Sequence, residues 1–134
     1  MAVLTAYEHR IRPAALILRG SIVGLTLATA AIHFSLGGTL FLLNAIGYTA
    51  LAAALALPGP FARGRWLIRY ALIGFTATTI AGWLAFGARF DLAYLDKALE
   101  ITLIGLLLLE SWLVDGGPLV VARRAQRIVM ETLR

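Results

Sequence analysis

His33, Asn44 and Glu100 stand inside long apolar runs, where a polar side chain is costly and therefore needs a reason. An imidazole and a carboxylate at one level can pass a proton, bind a cation together or hold the carbonyl of a quinone-like ligand. Counting from the nearest turns puts them at one level: His33 precedes Gly37 by about four residues, and Asn44 follows Gly38 by about six. Glu100 lies a similar distance into its own apolar run, and Thr79 and Trp83 fall within about one turn of the same depth. Lys97, one turn before Glu100, is the natural partner for its carboxylate. The spacing thus predicts one layer made of His33, Asn44, Thr79, Trp83, Lys97 and Glu100. The competing reading is that these groups only hydrogen-bond across helices and fix the register, at about 0.6 to 2 kcal/mol each. Glu100 resists that account, because an ionised carboxylate demands a partner.

A second set lies nearer the opposite helix ends. Arg19, Arg69 and Glu110 are each about four or five residues inside an apolar run, which predicts a structural ion pair or triad, against separate snorkelling of each side chain. Asp96, Glu100, Leu103, Leu107 and Glu110 recur at helical spacing, so that stripe is expected to face protein or water and not lipid. Gly20, Gly24 and Ala28 form a small-residue stripe about half a turn round from His33. If His33 faces inward, that stripe is left for another helix, from a second subunit or from the chain itself.

Several chemistries are set aside. With no Cys there is no thiolate metal site and no thiol redox chemistry, and His33 with Glu100 supplies two metal ligands where three or four are wanted, so no metal is expected. His9 lies before the first apolar run, which excludes a bis-His haem within one chain. Ser35 and Ser111 have no nearby base, and there is no phosphate loop, nucleophile elbow or metalloprotease motif. An enzyme is not expected.

These residues must be positioned by membrane helices. The chain has 134 residues, of which 60% are hydrophobic and only 14% charged. The apolar residues sit in runs long enough for the roughly 20 residues that a span requires. The spans are expected at 14–36, 39–57, 66–87 and 95–114, giving a four-helix transmembrane bundle of two hairpins over residues 1–117. Gly37-Gly38 makes the first turn, Pro58-Gly59-Pro60 and a short basic loop the second, and 88–94 the third, while Pro13 suits the first turn of the first span. Asp115-Gly116-Gly117-Pro118 ends the fourth. Ala28-Thr29-Ala30 after a basic start resembles a signal-peptide cleavage site, but Arg19 breaks the apolar segment that such a peptide needs. Residues 118–134 gather Val121, Ala125, Ile128 and Val129 on one side and Arg123, Arg124 and Arg127 on the other, which predicts an amphipathic helix lying on anionic headgroups.

Ten of the twelve basic residues fall on one side of this layout, with only Arg89 and Lys97 on the other. That places both termini in the cytoplasm and the protein in the cell inner membrane as a multi-pass protein. The net charge of +5 flanks hydrophobic segments, so it points to lipid headgroups and not to nucleic acid. Small size, small-residue faces and the lack of a catalytic motif lead to the expectation of a protein that acts by helix packing, as an oligomer or as an accessory subunit of a membrane complex. The alternatives are a small proton-linked transporter and a lipid- or quinone-binding component, both using His33, Asn44 and Glu100. No cofactor is expected apart from lipid or quinone in that last case.

Overall fold

The computed structural model describes the backbone of residues 2–134 and the side chains from Pro13 onward. It is all-helical, with six helices and no strand among the described residues: α1 Ala2–Leu36, α2 Thr39–Ala56, α3 Pro60–Arg63, α4 Arg65–Phe86, α5 Asp91–Asp115 and α6 Pro118–Thr132. Three segments are long and apolar enough to cross a membrane, Pro13–Leu36, Thr39–Ala56 and Arg65–Phe86.

The breaks follow from local chemistry. Gly37 and Gly38 have φ of 70° and 86°, in the left-handed region that costs glycine nothing, so α1 and α2 are joined by a two-residue turn. Gly116 closes α5 in the αL conformation, with the Gly117 N–H reaching back to the Ser111 carbonyl. Three details differ from expectation. Pro13 lies inside α1 and not in its first turn, and it brings no N–H to the helix ladder. The basic loop after Pro58 contains the one-turn α3, with Pro60 at its start. Helix α5 begins at Asp91, earlier than 95, with that carboxylate in the first turn where the helix dipole favours it. The N-terminal charges Glu8, His9, Arg10 and Arg12 lie outside the described side chains.

Helix α1 packs on α2 and α5, and α4 packs on the same two, closing a ring of four long helices, while α6 touches α5. Ile22, Tyr48, Leu55, Leu72, Leu103 and Leu107 meet at its centre. Gly47 allows α2 and α4 to approach, because the Phe75 ring lies where a side chain would begin. The distribution of polarity is inverted relative to a water-soluble protein. Arg69, Glu100 and Glu110 are at most 1% exposed, whereas Ile17, Phe34, Leu67, Leu84, Ile101 and Trp112 face outward. Charge inside and hydrocarbon outside is the arrangement that a lipid surround favours.

Candidate functional site

Helix α5 organises the interior. Ala93, Asp96, Lys97, Glu100, Leu103, Leu107, Glu110 and Ser111 are its buried residues, and their three- and four-residue spacing is one helix face. Two polar clusters sit on that face, about ten residues and so roughly 15 Å apart.

The first surrounds Glu100. Its Oε1 accepts a hydrogen bond from the Tyr48 hydroxyl at 2.7 Å and stands 2.8 Å from Thr79 Oγ1, while its Oε2 accepts from Lys97 Nζ at 2.5 Å. Thr79 is also 2.9 Å from the Tyr48 oxygen and 2.8 Å from the Thr76 carbonyl, so with one proton it serves one of three acceptors at a time. Lys97 is shared: Asp96 Oδ2 lies 3.0 Å from the same ammonium. His33 Nδ1 is 3.0 Å from the Thr29 carbonyl, which can only accept, so the imidazole carries its proton on Nδ1. That nitrogen is 3.7 Å from Asp96 Oδ1, too far for a hydrogen bond, and Asp96 Oδ1 is buried with no partner. The cluster therefore sets two carboxylates, Asp96 and Glu100, around one ammonium, that of Lys97.

A cavity of about 440 Å³ lies against this cluster. Its walls come from α2 and α4, its floor includes His33, Asp96 and Lys97, and it reaches the end of the ring formed by the Gly37-Gly38 turn and the 87–90 loop. Most of the lining is apolar, and its size is that of a small-ligand site. Trp83 stands at the rim. Its Nε1 donates to the Ala88 carbonyl at 3.0 Å, the Arg89 guanidinium sits 4.0 Å over its face, and Tyr94 meets it edge-on. Asn44, half-buried, lines the cavity wall and makes no hydrogen bond among the described residues.

His33, Asp96 and Glu100 each offer one ligand atom, all within 4.8 Å of one another, so a third potential metal ligand joins the two read from the sequence. The Lys97 ammonium already bridges the two carboxylates, where a cation would sit.

The second cluster surrounds Glu110. Arg19 donates through Nε to Oε1 at 2.9 Å and Arg69 through Nε to Oε2 at 2.9 Å, while Arg69 also pairs with Asp115. Two guanidinium groups face two carboxylates. Beside them Tyr70 and Ser111 share a hydroxyl contact at 2.7 Å, and the half-exposed Arg65 turns away to the Leu57 carbonyl. The triad expected from Arg19, Arg69 and Glu110 is thus a tetrad.

Depth counting missed Tyr48, Asp96 and Asp115. Tyr48 follows Asn44 by four residues on the same face of α2, a spacing that could have found it. Asp96 was assigned to the α5 stripe but not to the site, and Asp115 was read only as part of the helix stop. The Gly20, Gly24 and Ala28 stripe is exposed, on a side of α1 away from His33, and nothing lies within contact of a side chain built on either glycine. On α6 the side chains of Arg123, Arg124 and Arg127 are exposed, with Arg124 5.9 Å from the Trp66 ring. Comparison with protein-family models, curated proteins and solved structures returns no match to this chain.

Proposed function

We propose that the protein is a four-span integral membrane protein that binds a small, largely apolar molecule in the cavity beside His33, Asp96 and Lys97, as a binding or carrier component and not as an enzyme. One observation carries this reading: the cavity joins hydrocarbon-like walls to a buried charged cluster that is not internally balanced. A cluster that served only to hold helices together has no need of the void.

Helix α5 is the fourth span. It has 25 residues, and its mean hydropathy is lowered by Asp96, Lys97, Glu100 and Glu110, all of which face the interior. Its outward side carries Leu92, Leu95, Ile101, Leu109, Trp112 and Leu113. The loop charges orient both ends toward the cytoplasm in an inner membrane, with α6 and its arginines on anionic headgroups. Purification in a mild detergent, followed by extraction and mass spectrometry of what accompanies the protein, tests the binding reading. Gly82→Phe, which fills the cavity from α4, is expected to remove the accompanying lipid-soluble molecule and leave the helical content unchanged. The same molecule retained at equal amount by the filled variant contradicts the reading.

A second reading, association through α1 with a second copy or another membrane subunit, is favoured by the open Gly20, Gly24, Ala28 face. Crosslinking in native membranes from a cysteine at Ala28 is its test, and a species that stays at monomer size ends it.

A further inference from the structure

Resting on the cavity reading above, we propose that the ligand is a lipophilic monocation, an alkyl or aryl amine in its ammonium form, whose N–H is received by Asp96 at the floor of the cavity. The buried polar atom left without a partner at that floor is an acceptor. Asp96 is 2% exposed, it lines the cavity, and its Oδ1 has no partner. His33 spends its Nδ1 proton on the Thr29 carbonyl, which leaves Nε2 as a second open acceptor. The donors at the floor and rim are largely engaged: Lys97 Nζ gives two of its three hydrogens to the carboxylates and Trp83 Nε1 holds the Ala88 carbonyl, while the Asn44 amide on the wall makes no hydrogen bond among the described residues. A ligand that only accepts, such as a quinone carbonyl, is met by the Asn44 amide or the third Lys97 N–H but leaves Asp96 Oδ1 without a partner. One that donates finds two acceptors waiting.

Charge makes the donor a cation. Among the described residues Lys97 is the one ammonium or guanidinium in contact with Asp96 and Glu100, with the His33 imidazole 3.7 Å from Asp96; an uncompensated charge inside a bilayer is costly, so a ligand that brings one positive charge relieves the cost. An anionic headgroup would instead add a third negative charge. The walls suit the rest of such a molecule. Phe41, Phe75, Trp83 and Phe90 line the cavity, and aromatic faces attract an ammonium group while accepting its apolar body.

Three probes of one shape isolate the charge: 4-phenylbutylamine, 4-phenylbutan-1-ol and 4-phenylbutanoate. Binding is measured by calorimetry at pH 7.5 to the full chain in phosphatidylcholine nanodiscs, with empty nanodiscs subtracting partition into lipid. The amine is expected to bind at least about tenfold tighter than the alcohol, and the carboxylate not detectably. In Asp96→Asn the amine should fall to the affinity of the alcohol while the alcohol is unchanged. If the wild-type protein binds the alcohol or the carboxylate as tightly as the amine, the cavity stands and the cation is wrong. If none of the three binds, the cavity reading fails and the cation with it. A preference for the amine that survives Asp96→Asn overturns the role given to Asp96, and the wild-type series decides the charge even if that variant does not fold.

Discussion

The Glu110 cluster and the Glu100 cluster occupy the same face of α5 and use the same kinds of side chain, yet they are built to different ends. Around Glu110 both carboxylate oxygens are taken by guanidinium groups from two other helices, Asp115 receives Arg69 a second time, and two positive charges meet two negative ones. A guanidinium is a planar fork that is always charged, so it ties helices in a fixed geometry. Among the described residues, the one ammonium or guanidinium at Glu100 is a lysine from the same helix, one turn away. The groups reaching Glu100 from other helices are neutral hydroxyls, one acceptor is left over, and an apolar cavity adjoins. Both carboxylates of the first cluster are tied to guanidinium groups, with the Nε of the neighbouring Arg65 left without a partner among the described residues; in the second a carboxylate oxygen is left open beside a cavity. A buried ionic group in a membrane protein thus reads as structure when its charges cancel between helices, and as a site when they do not.

The largest effect is expected from breaking the closed cluster. Glu110→Gln leaves Arg19 and Arg69 facing Asp115 alone across three helices, and removal of one member of a buried ion pair costs about 3 to 5 kcal/mol. Thermal unfolding in detergent should show the loss as a much lower midpoint. Tyr48→Phe comes next. It deletes one hydrogen bond to Glu100 while Thr79 and Lys97 remain, and about 1 kcal/mol is expected in the same assay. Glu100→Gln should cost less than Glu110→Gln, because the amide oxygen still accepts from Tyr48 or Thr79, and Lys97, which meets an amide NH2 in place of Oε2, keeps Asp96. A loss as large as that of Glu110→Gln would erase the distinction between the clusters. Gly24→Leu, on the open side of α1, is expected to leave the midpoint within about 0.5 kcal/mol of wild type, and any change in crosslinked species would belong to association and not to folding.

Much of the helical framework could be read from the sequence, because run length and Gly-Pro punctuation are local. The expected spans at 14–36, 39–57 and 66–87 match the apolar helices Pro13–Leu36, Thr39–Ala56 and Arg65–Phe86 to within a residue at each end. Helix α5 falls short of a composition test for a span, since its charges count against it whichever way they face; only the packing reveals that they face inward. For the site, the constant rise of a helix is enough to bring His33, Thr79, Lys97 and Glu100 to one depth. Rotation and tilt are not read so easily. Asp96 lies near the start of α5, where a carboxylate is ordinary, and tyrosine in an apolar run reads as an interfacial aromatic. The cavity had no signal at all, because a void is set by how neighbouring helices pack and by small residues such as Gly82 along its wall, and neither is local in sequence.

The most direct test of the difference between the clusters is one pair of isosteric neutralisations, Asp96→Asn and Glu110→Gln, measured by thermal unfolding in the same detergent without added ligand. Asp96→Asn removes the surplus negative charge and leaves Lys97 paired with Glu100, so its midpoint is expected at or above that of wild type, while that of Glu110→Gln falls far below. Equal losses in the two variants would mean that both clusters are structural, and the contrast on which the proposed binding site rests would be gone.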